Sequence, residues 1–246
     1  MSKLIINIAE ENFILIPLHH NESRRSFFHK NKIRLFYRSS VLLDFFRGTN
    51  FYKAQQGDAK SDGHHFATAF YPGLIGGIFR ILPKHKIHGL IEVGSGKGLG
   101  IVKFKRAGIS RVGGIEIQES LVTICHENLK KVKINADFIY TGDAQNFYAF
   151  EGYNTLFIYN SLPCNVLIAF LSNYKNYINQ IQSSNENSME NETTANFLIY
   201  VNPVYHENVI GLGFEEMNRF FHFPSHETVI VYQYKSDRKS TRLNSS

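Results

Sequence analysis

Three glycines at every second position follow a short apolar run that contains an acid. The run is Leu90–Val93 with Glu92 as its acid, and the glycines are Gly94, Gly96 and Gly98. A buried strand that passes through a tight glycine turn into a helix brings backbone N–H groups close to a ligand. Glycine permits this because it has no Cβ and tolerates positive φ. The pattern therefore predicts a loop that binds a nucleotide-type cofactor.

The spacing of the glycines separates two classes of nucleotide cofactor. A dinucleotide loop reads G-x-G-x-x-G, and its third glycine allows the helix to pack close to the strand. Leu99 holds that position here, and the third glycine comes one residue earlier. The chain also has no Tyr-x-x-x-Lys pair. A nicotinamide-dependent oxidoreductase is therefore the weaker alternative.

The acid-x-Gly-x-Gly-x-Gly pattern resembles the cofactor loop of class I S-adenosylmethionine (SAM) dependent methyltransferases. In that family the acid contacts the methionine amino group, directly or through water, and the glycine backbone lies under the methionine and the ribose. The resemblance implies that Glu92 takes the first role. It assigns the second role to the loop residues Gly94, Ser95, Gly96 and Gly98.

A second strand is predicted to return to this loop. Residues 110–116 have the pattern of a short strand that ends at Glu116, 18 residues after Gly98. An acid at such a strand end can accept hydrogen bonds from both ribose hydroxyls. We therefore predict Glu116 as the ribose ligand and Ile117 as an apolar face for the adenine. The alternative is an acid at the surface that has no ligand.

A third strand, predicted over 137–141, ends at a turn that contains Asp143 and Ala144. The family commonly binds the adenine amino group with an acid at this place, so the resemblance implies that Asp143 and Ala144 contact the cofactor. An aspartate after a glycine is also ordinary turn chemistry. The sequence favours binding over a turn role alone.

A closer resemblance covers residues 66–222. It is to small bacterial class I methyltransferases, distantly similar to histone-lysine methyltransferases of the DOT1 type. It rests on four elements: Tyr71-Pro72, the Gly-Ser-Gly-Lys-Gly loop at 94–98, Asn160-Ser161-Leu162-Pro163 and Val201-Asn202-Pro203. By this resemblance Tyr71, Asn160 and Asn202 are the predicted catalytic residues on the acceptor side, and Asn160 is also a predicted cofactor ligand. Ser161 stands where the family has proline, which leaves the shape of that turn open.

The predicted fold class is α/β, because strands and helices alternate along the chain. The resemblance implies a Rossmann-like, mostly parallel sheet of seven strands with helices on both faces, a C-terminal β-hairpin and an N-terminal helical extension. Strands are predicted over 89–93, 111–116, 137–141, 154–159 and 197–201, with a closing pair over 214–221 and 228–234. Helices are predicted over 32–47, 72–82, 98–107, 118–131 and 163–181, and a solvated loop over 183–194.

The predicted organisation has three parts. Residues 1–60 form an N-terminal accessory region, and residues 61–234 form the SAM-binding domain. Residues 235–246 are abruptly polar and resemble a non-native tail. This tail holds four basic residues and one acid, so the rest of the chain is only mildly basic, which is weak evidence for nucleic acid.

The two cysteines and the hydropathy of the chain bear on its location. Cys125 and Cys164 lie in different segments without a Cys/His cluster, so neither a disulfide framework nor a metal site is predicted. No run approaches the ~20 apolar residues of a membrane helix, and no export signal is found. The prediction is a cytoplasmic protein without a membrane partner.

Basic and aromatic residues alternate over 24–38, without an acid before Asp44. Such a stretch can bind nucleic acid or an acidic partner. Helical spacing of its apolar residues favours instead a helix with a solvated basic face. Base methylation is also disfavoured, because the amino-methylating DNA enzymes have an Asn/Asp-Pro-Pro-aromatic turn, of which this chain keeps only Asn160.

The sequence therefore predicts a SAM-dependent methyltransferase that acts by in-line SN2 displacement. The acceptor is unidentified, with protein lysine and small molecules as the candidates, and nucleic acid is disfavoured. The alternatives are a non-catalytic SAM-binding, nucleotide-binding or scaffold protein with the same fold and, more weakly, the oxidoreductase. Further acceptor-side candidates are Tyr205 and, as bases near neutral pH, His64, His65 and His206. The oligomeric state is not indicated.

Overall fold

The computed structural model describes residues 6–8, 11–13, 40, 42–52, 73–185, 195–222 and 227–235. Residues 42–47 within this part are helical. The strands are β1 (Ile6–Ile8), β2 (Glu11–Phe13), β3 (Leu90–Val93), β4 (Val112–Glu116), β5 (Ile139–Thr141), β6 (Thr155–Tyr159), β7 (Asn196–Val201), β8 (Phe214–His222) and β9 (Glu227–Tyr234). The α-helices are α1 (Leu74–Ile81), α2 (Leu99–Arg106), α3 (Glu119–Lys131), α4 (Cys164–Asn185) and α5 (His206–Gly211), with short 3₁₀ helices at Lys84–Lys86 and Ala144–Asn146.

Seven of these strands form one sheet in the order β5-β4-β3-β6-β7-β9-β8. The five strands from β5 to β7 are parallel, whereas β9 runs antiparallel between β7 and β8. The order reverses between β3 and β6, and open α/β sheets bind their ligands at such a switch point, outside the carboxyl ends of the strands. This architecture confirms the predicted fold class.

Helices cover both faces of the sheet, which explains why every residue of β3 and β4 is buried. One apolar cluster joins the sheet to α4 through Leu167, Phe170 and Tyr174. A second cluster joins the other face to α1, α2 and α3. The sheet therefore holds the ends of β3, β4 and β6 rigidly beside one another.

The observed elements differ from the predicted ones in a few places. Helix α4 continues to Asn185, so residues 183–185, which were predicted as loop, are helical. Helix α5 and the antiparallel pair β1–β2 were not predicted. Of the helix predicted over 32–47, the structure describes only residue 40 and residues 42–47.

Several sequence predictions concern residues outside the described part of the chain. They include Tyr71, His64, His65, the basic aromatic stretch over 24–38 and the tail after residue 235. The division at residues 60 and 234 stays a prediction for the same reason. No helix in the described ranges combines the length and the apolar character that crossing a membrane requires.

Candidate functional site

A cavity lies at the carboxyl ends of β3, β4, β5 and β6. Its wall contains eight of the predicted cofactor residues: Glu92, Gly94, Ser95, Gly96, Glu116, Ile117, Asp143 and Ala144. The parallel strands place their ends at one edge of the sheet, so residues up to 52 positions apart in sequence meet here. The wall also includes Phe51, Val93, Lys97, Leu99, Gly100, Ile115, Gln118, Leu121, Gly142, Tyr159, Ser161, Leu162, Pro163 and Val166.

The glycine loop has a left-handed backbone at all three motif glycines, with φ of 74° at Gly94, 52° at Gly96 and 82° at Gly98. Its N–H groups donate hydrogen bonds to other groups of the protein. Those of Gly94 and Ser95 donate to the Ile115 carbonyl at 2.8 and 2.9 Å, and that of Gly98 donates to the Ser95 carbonyl. A loop that uses its N–H groups in this way does not offer them to the phosphates of a dinucleotide.

Glu116, at the end of β4, is held in place by the loop. Its Oε2 accepts a hydrogen bond from the Gly96 N–H at 2.8 Å, and its Oε1 accepts one from the Gln118 N–H at 3.0 Å. The side chain is buried and lines the cavity. An ionised carboxylate has about four lone-pair sites, so Glu116 can still accept two hydrogen bonds from the diol of a ribose.

Glu92, near the end of β3, lies under the first turn of α2. Gly100 makes this possible, because a Cβ at that position would collide with the Glu92 carboxylate. Burial raises the pKa of Glu92 to about 8; the Ile101 backbone N–H opposes this by donating to the carboxylate, and the Glu116 charge adds to it. The ligand-free protein therefore holds Glu92 largely protonated at neutral pH.

Two polar atoms in the cavity wall are buried without a partner among the described residues. They are Glu92 Oε2 and Ser95 Oγ. Buried polar atoms in proteins are nearly always hydrogen-bonded, so these two atoms indicate that a polar ligand group belongs beside them. The residues present thus fit a cofactor with an ammonium group, as the resemblance implied.

Asp143 and Ile117 lie at the edge of the cavity. The Asp143 carboxylate accepts from the Gln145 N–H at 3.1 Å and from Gln145 Nε2 at 2.8 Å. It therefore caps the 3₁₀ helix at Ala144–Asn146, the turn role that the sequence left open, and it lines the cavity as well. Ile117 is 44% exposed, which leaves an apolar side chain at the rim for a ligand to cover.

Asn160 and Gly98 stand beside the cavity rather than on its wall. Asn160 is buried with φ of 42°. Its neighbour Ser161 lines the cavity, and the Ser161 hydroxyl donates to the Val93 carbonyl at 2.8 Å. This bond accounts for the departure from the family pattern, because serine ties the turn after β6 to the end of β3. The roles predicted for Asn160 and Gly98 stay predictions.

Gly98 packs against a cysteine. A Cβ at Gly98 would approach Cys125 Sγ to 2.5 Å, so glycine is required there for packing as well as for its φ. Burial raises the pKa of the Cys125 thiol to about 12, and the Glu92 and Glu116 charges add to this. The thiol is therefore held in its neutral, weakly nucleophilic form near neutral pH.

The remaining acceptor-side predictions are not brought to the cavity wall. Asn202 follows β7 with φ of 52°, and neither it nor Tyr205 lines the cavity. His206 bonds instead to the Tyr232 hydroxyl at 2.8 Å, and its Nε2 lies 3.8 Å from Glu216 Oε2. His206 is thus engaged at the start of α5, apart from the cavity.

Several residues of the cavity wall were not predicted from the sequence. Gln118 and Ser161 adjoin predicted residues, so their position at strand ends could have indicated them. Tyr159 is the last residue of β6 and could have been found in the same way. Phe51 carries no sequence signal, because it comes from the segment before α1, 41 residues before Glu92.

Several solved structures resemble part of this chain at low sequence identity. A mutant of MtNAS has a TM-score of 0.50 and 14% identity, over 66% of this chain and 59% of that chain. A ribosomal protein L11 methylase from Lactobacillus delbrueckii subsp. bulgaricus has a TM-score of 0.45 and 15% identity, over 66% and 76%. An RNA methyltransferase from Salinibacter ruber in complex with S-adenosyl-L-homocysteine has a TM-score of 0.45 and 14% identity, over 69% and 95%.

No protein-family model and no curated protein sequence matches the chain. The strand order and the closing hairpin define the fold of the molecule, and the MtNAS structure shares it. It is a Rossmann-like α/β fold with a mostly parallel sheet of seven strands.

Proposed function

We propose that this protein is a SAM-dependent methyltransferase. The observation that carries the proposal is the bond between Glu116 and the Gly96 N–H, which fixes the acid of β4 against the glycine loop. With Glu92 and Asp143 it gives three acids around one cavity. A cationic nucleoside with a free diol suits this arrangement better than a dinucleotide, because the loop N–H groups are already bonded.

Each acid has a distinct part in holding the cofactor. Glu92 offers its unpartnered Oε2 to the methionine ammonium, and Glu116 offers its remaining lone pairs to the ribose. Asp143 and Ile117 border the place for the adenine. When bound, SAM supplies a methyl group on a sulfonium, which the acceptor takes by in-line SN2 displacement.

The contribution of this chain to such a transfer is positioning. Fixing two reactants in line can lower the activation barrier by up to ~7–11 kcal/mol, so no nucleophilic triad is needed. We assign the acceptor side to Tyr71, Asn160 and Asn202, following the resemblance. We propose protein lysine or a small molecule as the acceptor and the cytoplasm as the location, and we expect nucleic acid not to be the acceptor.

Calorimetric titration tests the cofactor. We expect S-adenosylhomocysteine and SAM to bind and NAD not to bind. Glu116→Gln should weaken S-adenosylhomocysteine binding about tenfold or more, because it removes the charge and replaces one of the two acceptor oxygens by an NH2 donor. Glu119→Gln is the matched control, since Glu119 is an exposed acid at the start of α3 and does not line the cavity. Failure of both adenosyl ligands to bind would overturn the proposal.

Radiolabelled methyl transfer into fractionated lysate tests the reaction. Label in protein or in small molecules supports the proposed acceptor classes, and label in RNA contradicts the expectation about nucleic acid. Binding of S-adenosylhomocysteine without any transfer would favour the alternative of a non-catalytic binding protein.

A further inference from the structure

A short segment outside the sheet, residues 44–52, lies against the glycine loop. Asn50 joins it to the core through a closed ring of hydrogen bonds. The Asn50 N–H donates to Asn128 Oδ1 at 2.7 Å, Asn128 Nδ2 donates to the Lys97 carbonyl at 3.1 Å, and Lys97 Nζ donates to Asn50 Oδ1 at 3.3 Å. The ring thus links the segment, α3 and the cofactor loop.

Two members of this ring are deeply buried. Asn128 is 1% exposed and Lys97 is 5% exposed. Loss of a hydrogen bond by a buried amide or ammonium is costly, because water does not replace the lost partner. Undocking of Asn50 would remove a donor from Asn128 and one acceptor from Lys97 at once, so the docked arrangement of the segment is favoured over a detached one.

The segment also has an internal brace. The Asp44 carboxylate accepts from Thr49 Oγ1 and from the Tyr52 N–H, both at 2.7 Å. Together with the ring, this brace fixes the residues on either side of Phe51. Phe51 is half-buried, packs against the apolar cluster of α1, α2 and α3, and lines the cavity.

We propose that Phe51 is a cofactor-contacting residue supplied from outside the α/β sheet, and that the Asn50–Asn128–Lys97 ring positions it. This inference rests on the proposed function. Because the ring includes the carbonyl and the ammonium of Lys97 in the glycine loop, docking of the segment and binding of the cofactor are coupled. Coupling of this kind is reciprocal: the cofactor stabilises the docked segment, and the docked segment raises affinity for the cofactor.

Calorimetry with S-adenosylhomocysteine on the full chain tests the contact. Phe51→Ala should raise the Kd about tenfold, the loss expected when one aromatic contact to a nucleoside is removed. Phe45→Ala is the matched control, because Phe45 belongs to the same segment, is 79% exposed and does not line the cavity. It should leave the Kd within about twofold. Thermal melts establish that both variants are folded.

Hydrogen exchange tests the coupling without any measurement of activity. Saturating S-adenosylhomocysteine should slow amide exchange over residues 44–52 of the unmodified protein. Asn50→Ala removes one acceptor for Lys97 Nζ and keeps the Phe51 side chain in the protein. It should therefore reduce that protection and raise the Kd several-fold.

The outcomes separate this inference from the function on which it rests. If the unmodified protein does not bind S-adenosylhomocysteine, both fail. If it binds but Phe51→Ala and Phe45→Ala behave alike, or if exchange over 44–52 is unchanged by the ligand, only the role of Phe51 and its ring is overturned.

Discussion

Replacing Glu92 by glutamine should stabilise the ligand-free protein at neutral and alkaline pH while weakening cofactor binding. Burial, opposed by the Ile101 N–H and increased by the Glu116 charge, raises the pKa of Glu92 from 4.5 to about 8. A group whose pKa is higher in the folded state gives its full stabilisation below the unfolded pKa, here 4.5. That stabilisation is lost as the pH rises through about 8. Glutamine never ionises, so the variant escapes this loss.

The magnitude follows from the two pKa values. One pH unit corresponds to about 1.4 kcal/mol, so the shift of Glu92 from 4.5 to about 8 gives an upper bound of about 5 kcal/mol. Relaxation and water penetration reduce such penalties, so we expect roughly 2–5 kcal/mol at pH 9. Well below pH 4.5 the two proteins should have similar stability, because Glu92 is then neutral in both states.

Urea unfolding of the two proteins between pH 5 and pH 9 measures this difference. The free energy of unfolding of Glu92→Gln minus that of the unmodified protein should grow with pH up to about 8 and level off above it. Taking this difference cancels the titration of the groups common to both proteins. Glu119→Gln, at an exposed acid, should run parallel to the unmodified protein. Parallel curves for Glu92→Gln would refute the reasoning, because they would show that Glu92 titrates alike in the folded and unfolded chains.

Further predictions concern the same carboxylate and the frame around it. Binding of S-adenosylhomocysteine at pH 7 should release close to one proton, because its ammonium favours ionised Glu92; calorimetry in buffers of different ionisation enthalpy measures this, and equal heats would contradict it. Gly100→Ala should lower both stability and affinity, because its Cβ would collide with the Glu92 carboxylate. Gly76→Ala, in α1 with open space around it, should instead raise the free energy of unfolding by roughly 0.5–1 kcal/mol. Asn154→Ala should lower it by roughly 2–4 kcal/mol, because Asn154 bonds the His88 N–H and the carbonyls of Lys86 and Ala195; urea unfolding measures both, and changes smaller than 0.5 kcal/mol would contradict the role given to Asn154.

The elements with strong local signals were predictable from the sequence. Strand β3 and the glycine loop are indicated by a short, mainly apolar run followed by three glycines, which adopt positive φ without steric cost. Both features lie within nine residues. Helix α5 was missed because it has only six residues and one buried apolar side chain, Val209. So short a helix depends on packing against the sheet rather than on local propensity.

The parts of the site that escaped prediction depend on contacts between distant residues. The bond from Asn50 to Asn128 joins positions 78 apart, and that from Ser161 to Val93 joins positions 68 apart. A single sequence without its fold gives no sign of either pairing. Acids at strand ends were predictable because the fold class alone places them together, whereas Phe51 depends on a segment that belongs to no sheet element.

Glu92 is the position where local preference and the observed structure conflict, and the conflict itself points to function. Its neighbours in β3 are leucine, isoleucine and valine. An apolar residue at position 92 would avoid both the unpartnered oxygen and the cost of burying a carboxyl group, which raises its pKa. Gly100 leaves the space that the carboxylate fills, at the cost of helix propensity in α2. A carboxylate with this environment is unfavourable in the ligand-free chain and becomes favourable when a cation pairs with it. A positively charged ligand in the cavity, as proposed above, would therefore give the burial of Glu92 a physical reason.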